Sequence, residues 1–248
     1  MRAIIGLVLA LLASPVAAHA AEACAKATFE GTAFTVCRYQ RGADQIRLAL
    51  NGPVGVLGGF AALKSSLGAD ASRVLFAMNA GMYEPSRRPV GLLVQAGRLQ
   101  SPLNTADGTG NFYLKPNGVF WVAVDGAVHI DEASAFAAAK VQPQWATQSG
   151  PLLVKGSVLH PLIAADGPSL AIRNGVGVRS PSEAVFVISD QPVSFSRLAR
   201  FLRDSLGCPD ALYFDGVVSS LWAPGLGRVD GRTGLGPLLV VLKTKPPA

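Results

Sequence analysis

Asp215 stands at the end of the apolar run Ala211-Leu212-Tyr213-Phe214 and is followed at once by Gly216. A carboxylate fixed at a strand end can act as a base, as a nucleophile or as a stabiliser of developing positive charge. The same layout recurs along the chain. Val74 to Met78 run into Asn79-Ala80-Gly81, and two further junctions read Gln148-Ser149-Gly150-Pro151 and Arg173-Asn174-Gly175-Val176-Gly177. Ser219 and Ser220 follow Asp215 closely. Apolar runs of this length read as buried strands, and a residue just past a strand end is held rigidly yet reaches a cleft. Glycine there lets a ligand approach the backbone. Four such junctions point to a polar active site, although polar strand ends also serve turn conformation alone.

Other machinery is poorly represented. Of three histidines, His19 falls in the N-terminal leader described below, while His129 and His160 lie in or beside predicted hairpins and read as exposed turn residues. There is no Gly-x-Ser-x-Gly elbow, His-Glu-x-x-His, Walker loop or Gly-x-Gly-x-x-Gly, which argues against a serine hydrolase, a zinc protease and a nucleotide fold. No cofactor and no transition-metal site is expected; calcium or magnesium held by carboxylates and carbonyls stays open. Carboxylate, amide, hydroxyl and guanidinium groups remain, and these suffice for glycoside cleavage.

Six stretches in order resemble one family: Met78-Asn79-Ala80-Gly81-Met82-Tyr83, Arg88-Pro89-Val90-Gly91-Leu92, Asn111 to Phe120, Ala146 to Pro151, Arg173 to Val178, and Ala211 to Gly216. The chain is similar to bacterial phosphodiester glycosidases, relatives of the catalytic domain of the mammalian uncovering enzyme, which removes N-acetylglucosamine from a sugar phosphodiester. The resemblance runs from about Val74 to Val241 and implies a hydrolase acting on a phosphoglycan or other sugar-phosphodiester substrate. A phosphate monoester is already a competent leaving group, so cationic contacts can do much of the work of an acid. Asp215 is the expected catalytic carboxylate, with Glu84 as the second. Arg173 with Asn174 and the Gly175 backbone would hold the phosphate. Asn79, Gly81, Gln148, Ser149 and Gly150 would orient the sugar, with Gly216, Ser219 and Ser220 beside Asp215, and Arg88 adding charge at the rim. Val217-Val218-Ser219-Ser220 replaces some glycines of the family pattern. Asn111 and Asn117 read as structural. Two rivals stand beside this reading: a phosphodiesterase that breaks P–O, and a non-catalytic glycan-binding module of the cell envelope.

Residues 1–20 are expected to be a secretory signal peptide, with Met1-Arg2, the apolar run Ile4 to Leu12 and Ala18-His19-Ala20 as cleavage site. Residues 21–248 are then one domain of about 228 residues, enough for a substantial core. At 15% charged and 50% hydrophobic residues the chain is a compact globule, with no apolar segment long enough to span a bilayer. The formal charge of +6 is scattered, without a basic run interleaved with aromatics, so nucleic acid is not an expected partner. Oligomeric state is not legible. In an oxidising compartment Cys24 and Cys37 can form a disulfide across two extended stretches turning at Glu30-Gly31-Thr32, unpaired thiols being the alternative. Cys208 is then a buried apolar residue.

The positioning elements follow from periodicity. Helices are predicted over Leu57–Leu67, over Glu132–Lys140 on the surface, and over Phe195–Leu206 with Ser194 as N-cap. Arg197, Arg200 and Arg203 read as the solvated side of that last helix. Hairpins are predicted around Gly97, Asp125-Gly126 and Lys155-Gly156, with strands at Leu170–Ile172, Val185–Ser189, Leu212–Phe214 and Leu238–Leu242. The fold class is α+β, a single domain with a largely antiparallel or mixed sheet and a few helices.

Overall fold

The computed structural model describes residues 23–165, 167–232 and 234–245; the predicted signal peptide falls outside the described residues. Among the described residues, three antiparallel sheets and three short α-helices make up the architecture, with a further two-stranded ribbon at Asn51–Gly52 and Gly55–Val56. The α+β expectation holds, and the sheets are antiparallel throughout their named pairings.

The seven-stranded sheet runs in the order Cys24–Phe29, Thr32–Gln40, Glu183–Ser189, Asn174–Ser180, Asp210–Asp215, Leu152–Lys155 and Val158–Leu159. A five-stranded sheet holds Val128–Glu132, Gly118–Val122, Trp145–Ser149, Leu93–Gln95 and Arg98–Ser101. The other holds Arg228–Val229, Leu221–Ala223, Val74–Asn79, Leu238–Lys243 and Asp44–Ala49.

Each sheet turns one face to a shared core. Phe186, Leu212 and Phe214 meet Phe120, Ile130 and Leu93 from one neighbour, and Phe76, Met78 and Leu239 from the other. Side chains alternate across a strand, so the intervening residues face outward, where each sheet is covered again. Val185, Val187, Ala211 and Tyr213 pack on Leu198, Phe201 and Leu202; Ala77, Trp222 and Val240 pack on Phe60 and Leu63; Val119 and Ala146 pack on Phe136. Strands buried on both faces read as continuous apolar runs rather than alternating ones, which is the pattern that marked them in the sequence.

The covering helices are Phe60–Leu67, Ala133–Ala139 and Phe195–Arg200. Ser194 caps the last, its Oγ accepting from the Arg197 amide at 3.2 Å, a contact worth about 1 kcal/mol. The predicted helix continues through Phe201–Ser205 as a π turn, and this wider turn buries the adjacent Phe201 and Leu202 together. Its arginines are less solvated than expected: Arg197 and Arg200 pair with Glu30 and tie the helix to the first hairpin, and Arg203 pairs with Asp204. The predicted strand at Leu170–Ile172 is absent as such; Ala171 forms only an isolated bridge to Val193. His160 corrects another expectation, since it is buried, with Nδ1 accepting from the Leu162 amide at 3.2 Å.

Cys24 and Cys37 are directly opposite in the first hairpin and form the disulfide. The hairpin turns through Glu30 at φ 45° and Gly31 at φ 72°, the two positive values a two-residue turn of this hand requires. Cys208 is buried, and burial pushes its thiol up to about 12, so it is inert at neutral pH.

A candidate active site at the meeting of three sheets

The Val74–Asn79, Trp145–Ser149 and Asp210–Asp215 strands end together, where Asn174 begins its own. Asn174 pairs with Asp215 in the ladder, while its Nδ2 reaches Asn79. Ser149 Oγ donates to the Phe214 carbonyl at 3.1 Å, and Ser220 N donates to Asn79 Oδ1 at 2.8 Å. Ser219 Oγ lies 3.2 Å from Asn174 Oδ1 and 3.0 Å from the Asp215 carbonyl. These side chains are all buried and close one end of the shared core with a polar network. Asn79 Nδ2 is the one atom of it left without a partner among the described residues.

In front of this network lies a cavity of about 480 Å³, lined by Asp215, Gly216, Tyr213, Tyr83, Glu84 and Asn111 among others. Asp215 Oδ1 accepts from the Val217 and Val218 amides at 2.5 and 2.7 Å, which fixes the carboxylate. Burial pushes Asp215 above the ordinary carboxylate value, against the opposing pull of the Val218, Val217 and Gly216 amides. Burial and the charge of Asp215 likewise raise Tyr83, whose hydroxyl donates to the Gly234 carbonyl at 3.0 Å. Glu84 sits at the mouth, in a fork with Arg88 at 3.0–3.2 Å.

The nominated residues thus fall into separate groups. Asp215, Gly216 and Glu84 share the cavity. Asn79, Asn174, Ser149, Ser219 and Ser220 stand behind it. Gly81, Gly150 and Gly175 are needed for packing: a Cβ on Gly150 would meet the Phe112 carbonyl at 2.5 Å, and one on Gly175 the Leu212 carbonyl at 2.7 Å. Gln148 is placed differently from expectation. Alternation points it away from the shared core, and its Oε1 accepts from Leu92 and Asn104 amides while Nε2 donates to the Asn104 carbonyl. Arg88 is exposed and its charge is taken up by Glu84.

Arg173 also departs from expectation. It is 1% exposed, and its donors go to the Val193 carbonyl, the Tyr213 hydroxyl and both oxygens of Ser169. Its guanidinium lies 3.6 Å over the Phe195 ring. It therefore stands one group behind the cavity rather than in it.

Tyr83 and Tyr213 are not among the expected site residues, and Asn111, expected to be structural, lines the cavity. Tyr213 was absorbed into a core strand, yet it lies two residues before Asp215 and so on the same face of that strand. That period was the available signal. Asn111 gave none, since it sits in a single 3₁₀ turn, Asn111–Tyr113. Among the described residues no three His, Cys, Asp or Glu side chains cluster; Asp215 and Glu84 are the carboxylates on this cavity. A second recess of about 380 Å³, lined by Asp44 and Trp145 among others, contains none of the nominated residues.

The phosphodiester glycosidase profile matches residues 72–234, which includes every cavity-lining residue named above. The chain belongs to the phosphodiester glycosidase family. YigE, an uncharacterized protein of Escherichia coli strain K12, is 40% identical over 155 residues, 62% of this chain and 59% of its own length. The match therefore spans less than two thirds of that relative. Among solved structures, the catalytic domain of zebrafish N-acetylglucosamine-1-phosphodiester alpha-N-acetylglucosaminidase, auto-inhibited by its pro-peptide, superposes with a TM-score of 0.60 at 12% identity, covering 90% of this chain and 82% of that one. A hypothetical protein from Synechocystis superposes with 0.54 at 14% identity, covering 89% and 61%. At these identities the two structures attest the fold. The Cys24–Cys37 hairpin and the Leu238–Lys243 strand lie outside the segment that this chain shares with the family profile.

Proposed function

We propose that this member of the phosphodiester glycosidase family is an exported hydrolase that cleaves the glycosidic C–O bond of a sugar-1-phosphodiester. The observation that carries the reading is Asp215, a carboxylate buried at a strand end, clamped by two amides and facing a cavity large enough for a sugar. Its raised pKa brings it nearer to the operating pH, which suits it to take a proton from the attacking water. The cavity walls are largely apolar, with Met82, Phe112 and Val218 beside the tyrosines. A few fixed polar groups in such a lining are what orient a small ligand. Glu84 at the mouth is the second carboxylate within reach of the chamber.

The polar network behind Asp215 fixes the loop that carries the carboxylate and does not itself meet the sugar. The disulfide is compatible with export, and no helix among the described residues is long and apolar enough to cross a membrane. The name of the zebrafish relative supplies the first substrate to try, an N-acetylglucosamine-1-phosphodiester.

Product analysis tests this reading. Free sugar with a phosphomonoester, lost in Asp215→Asn at equal folding, supports it. Sugar-1-phosphate as product would mean P–O cleavage, and saturable glycan binding without turnover would mean a binding module.

A further inference from the structure

Arg173 is a cation sealed inside the protein without a carboxylate among its hydrogen-bond partners, which are the Val193 carbonyl, Ser169 and the Tyr213 hydroxyl. The acid that acts on it is Asp215 on the cavity wall. Burying an unpaired charge is costly, and a site retains one where its field is used. The Phe195 face at 3.6 Å and four hydrogen bonds offset part of that cost and hold the guanidinium rigid.

The field leaves through Tyr213. Its oxygen accepts from Arg173 Nη1 at 3.0 Å, and the Asn111 side chain hydrogen-bonds the same hydroxyl. A phenol has one proton to give. With Arg173 donating from behind, that proton is free to turn from the guanidinium toward the cavity that Tyr213, itself 1% exposed, lines beside Asp215. Phe195 meets the Tyr213 ring edge-on at 4.7 Å and fixes its plane. Gly216 belongs to the same arrangement, because a Cβ there would collide with the Tyr213 hydroxyl and crowd Arg173 Nη1 at 3.2 Å.

We infer that Tyr213 is a catalytic hydrogen-bond donor to the departing phosphate oxygen, and that Arg173 is the positioning residue that polarises it. The inference rests on the glycosidic reading above. In the step, the C1–O bond breaks and its electron pair stays on the phosphate oxygen. Water supplies the hydroxyl at C1 and yields its proton to Asp215, while Tyr213 keeps its own proton. Charge grows on the departing oxygen as a phosphodiester monoanion becomes a phosphomonoester dianion. A fixed donor aimed at that oxygen stabilises the transition state more than the ground state.

The experiment compares wild type with Tyr213→Phe, which keeps the ring and removes only the hydroxyl. Two substrates of the same sugar are used: a 1-phosphodiester and a 2,4-dinitrophenyl glycoside, whose leaving group needs no donor. Methyl phosphate binding is followed in parallel by ³¹P NMR. The expected result is a loss of about 100-fold or more in kcat for the phosphodiester, with the dinitrophenyl glycoside within about threefold and methyl phosphate bound about tenfold more weakly. Arg173→Lys is expected to show the same selective loss and to add little in the Tyr213→Phe background. Equal losses on both substrates, or an unchanged Tyr213→Phe enzyme, would overturn the donor role while leaving the glycosidase reading intact. A wild type that binds methyl phosphate through Tyr213 yet releases no sugar would sink the glycosidase reading and keep the anion site.

Discussion

Asn174 Nδ2 donates to both the carbonyl and the side-chain oxygen of Asn79, at 2.9 and 3.2 Å, across 95 residues of chain. The contact joins the seven-stranded sheet to the sheet carrying Val74–Asn79 where both end. Through Ser219 and Ser220 it also sets the path of the loop that leaves Asp215. The Asp215 carboxylate is therefore held by a junction between layers, and its position depends on side chains that line no part of the cavity.

Asn174→Ala is expected to act on stability and on turnover together. It strips a donor from the buried Asn79 carbonyl and one of two acceptors from the Ser219 hydroxyl, which keeps the Asp215 carbonyl. A buried group left unpaired costs about 1–3 kcal/mol, so a loss of about 1–3 kcal/mol should appear in urea unfolding. In folded protein kcat should fall as the Asp215 loop loosens. Unchanged stability would mean that the network is replaced by water without cost.

Gln148 should behave as a structural residue. Its amide ties Leu92 to Asn104 through three hydrogen bonds on the outer side of its sheet. Gln148→Leu leaves two amides and a carbonyl unpaired and is expected to cost about 2–4 kcal/mol while leaving KM of the surviving folded fraction unchanged. A large rise in KM at full stability would return Gln148 to the binding site.

The contrast between Gln148 and Asp215 shows what was legible in the sequence. Long apolar runs marked the buried strands, and glycine-flanked polar residues marked their ends, so the junctions were found. Which face of each strand a residue joins was not weighed, and one residue of register moves a side chain to the other side. Ser149 and Gln148 are neighbours in sequence, yet one faces the core network and the other the opposite surface of the sheet. Arg173 shows a second limit. Its residue type suits phosphate, but its burial under Phe195 is set by the packing of the Phe195–Arg200 helix, which no local pattern announces.

The Cys24–Cys37 bridge closes a loop of 13 residues in sequence separation. In the chain-entropy account a loop of that size contributes about 3 kcal/mol. Cys24→Ala with Cys37→Ala should lower the unfolding free energy by that amount, with a lower denaturant midpoint and an m-value that rises as the unfolded chain loses its cross-link. Neither cysteine lines the cavity, so kcat and KM should hold in folded protein. A bridge that stabilises little would show as an unchanged midpoint when wild type is reduced.

Asp215 gives a prediction with a definite sign. Its carboxyl is raised by burial, so over the window between the unfolded and folded pKa values the native state binds more protons than the unfolded chain. Stability then falls as pH rises through that window, and its contribution is fully present only below the unfolded value, about 3.9. Asp215→Asn keeps an oxygen to accept from Val217 and Val218 and removes the buried charge. The variant should therefore unfold at higher denaturant than wild type at pH 7, and the difference should close toward about pH 3.5. Activity runs the other way. In the role proposed for it the carboxylate is needed ionised, so wild-type turnover should fall on the acid side with a midpoint above the ordinary aspartate value, and Asp215→Asn should be inactive throughout. A variant that is less stable than wild type at pH 7 would mean that the ionised carboxylate is stabilised by its surroundings rather than strained by them.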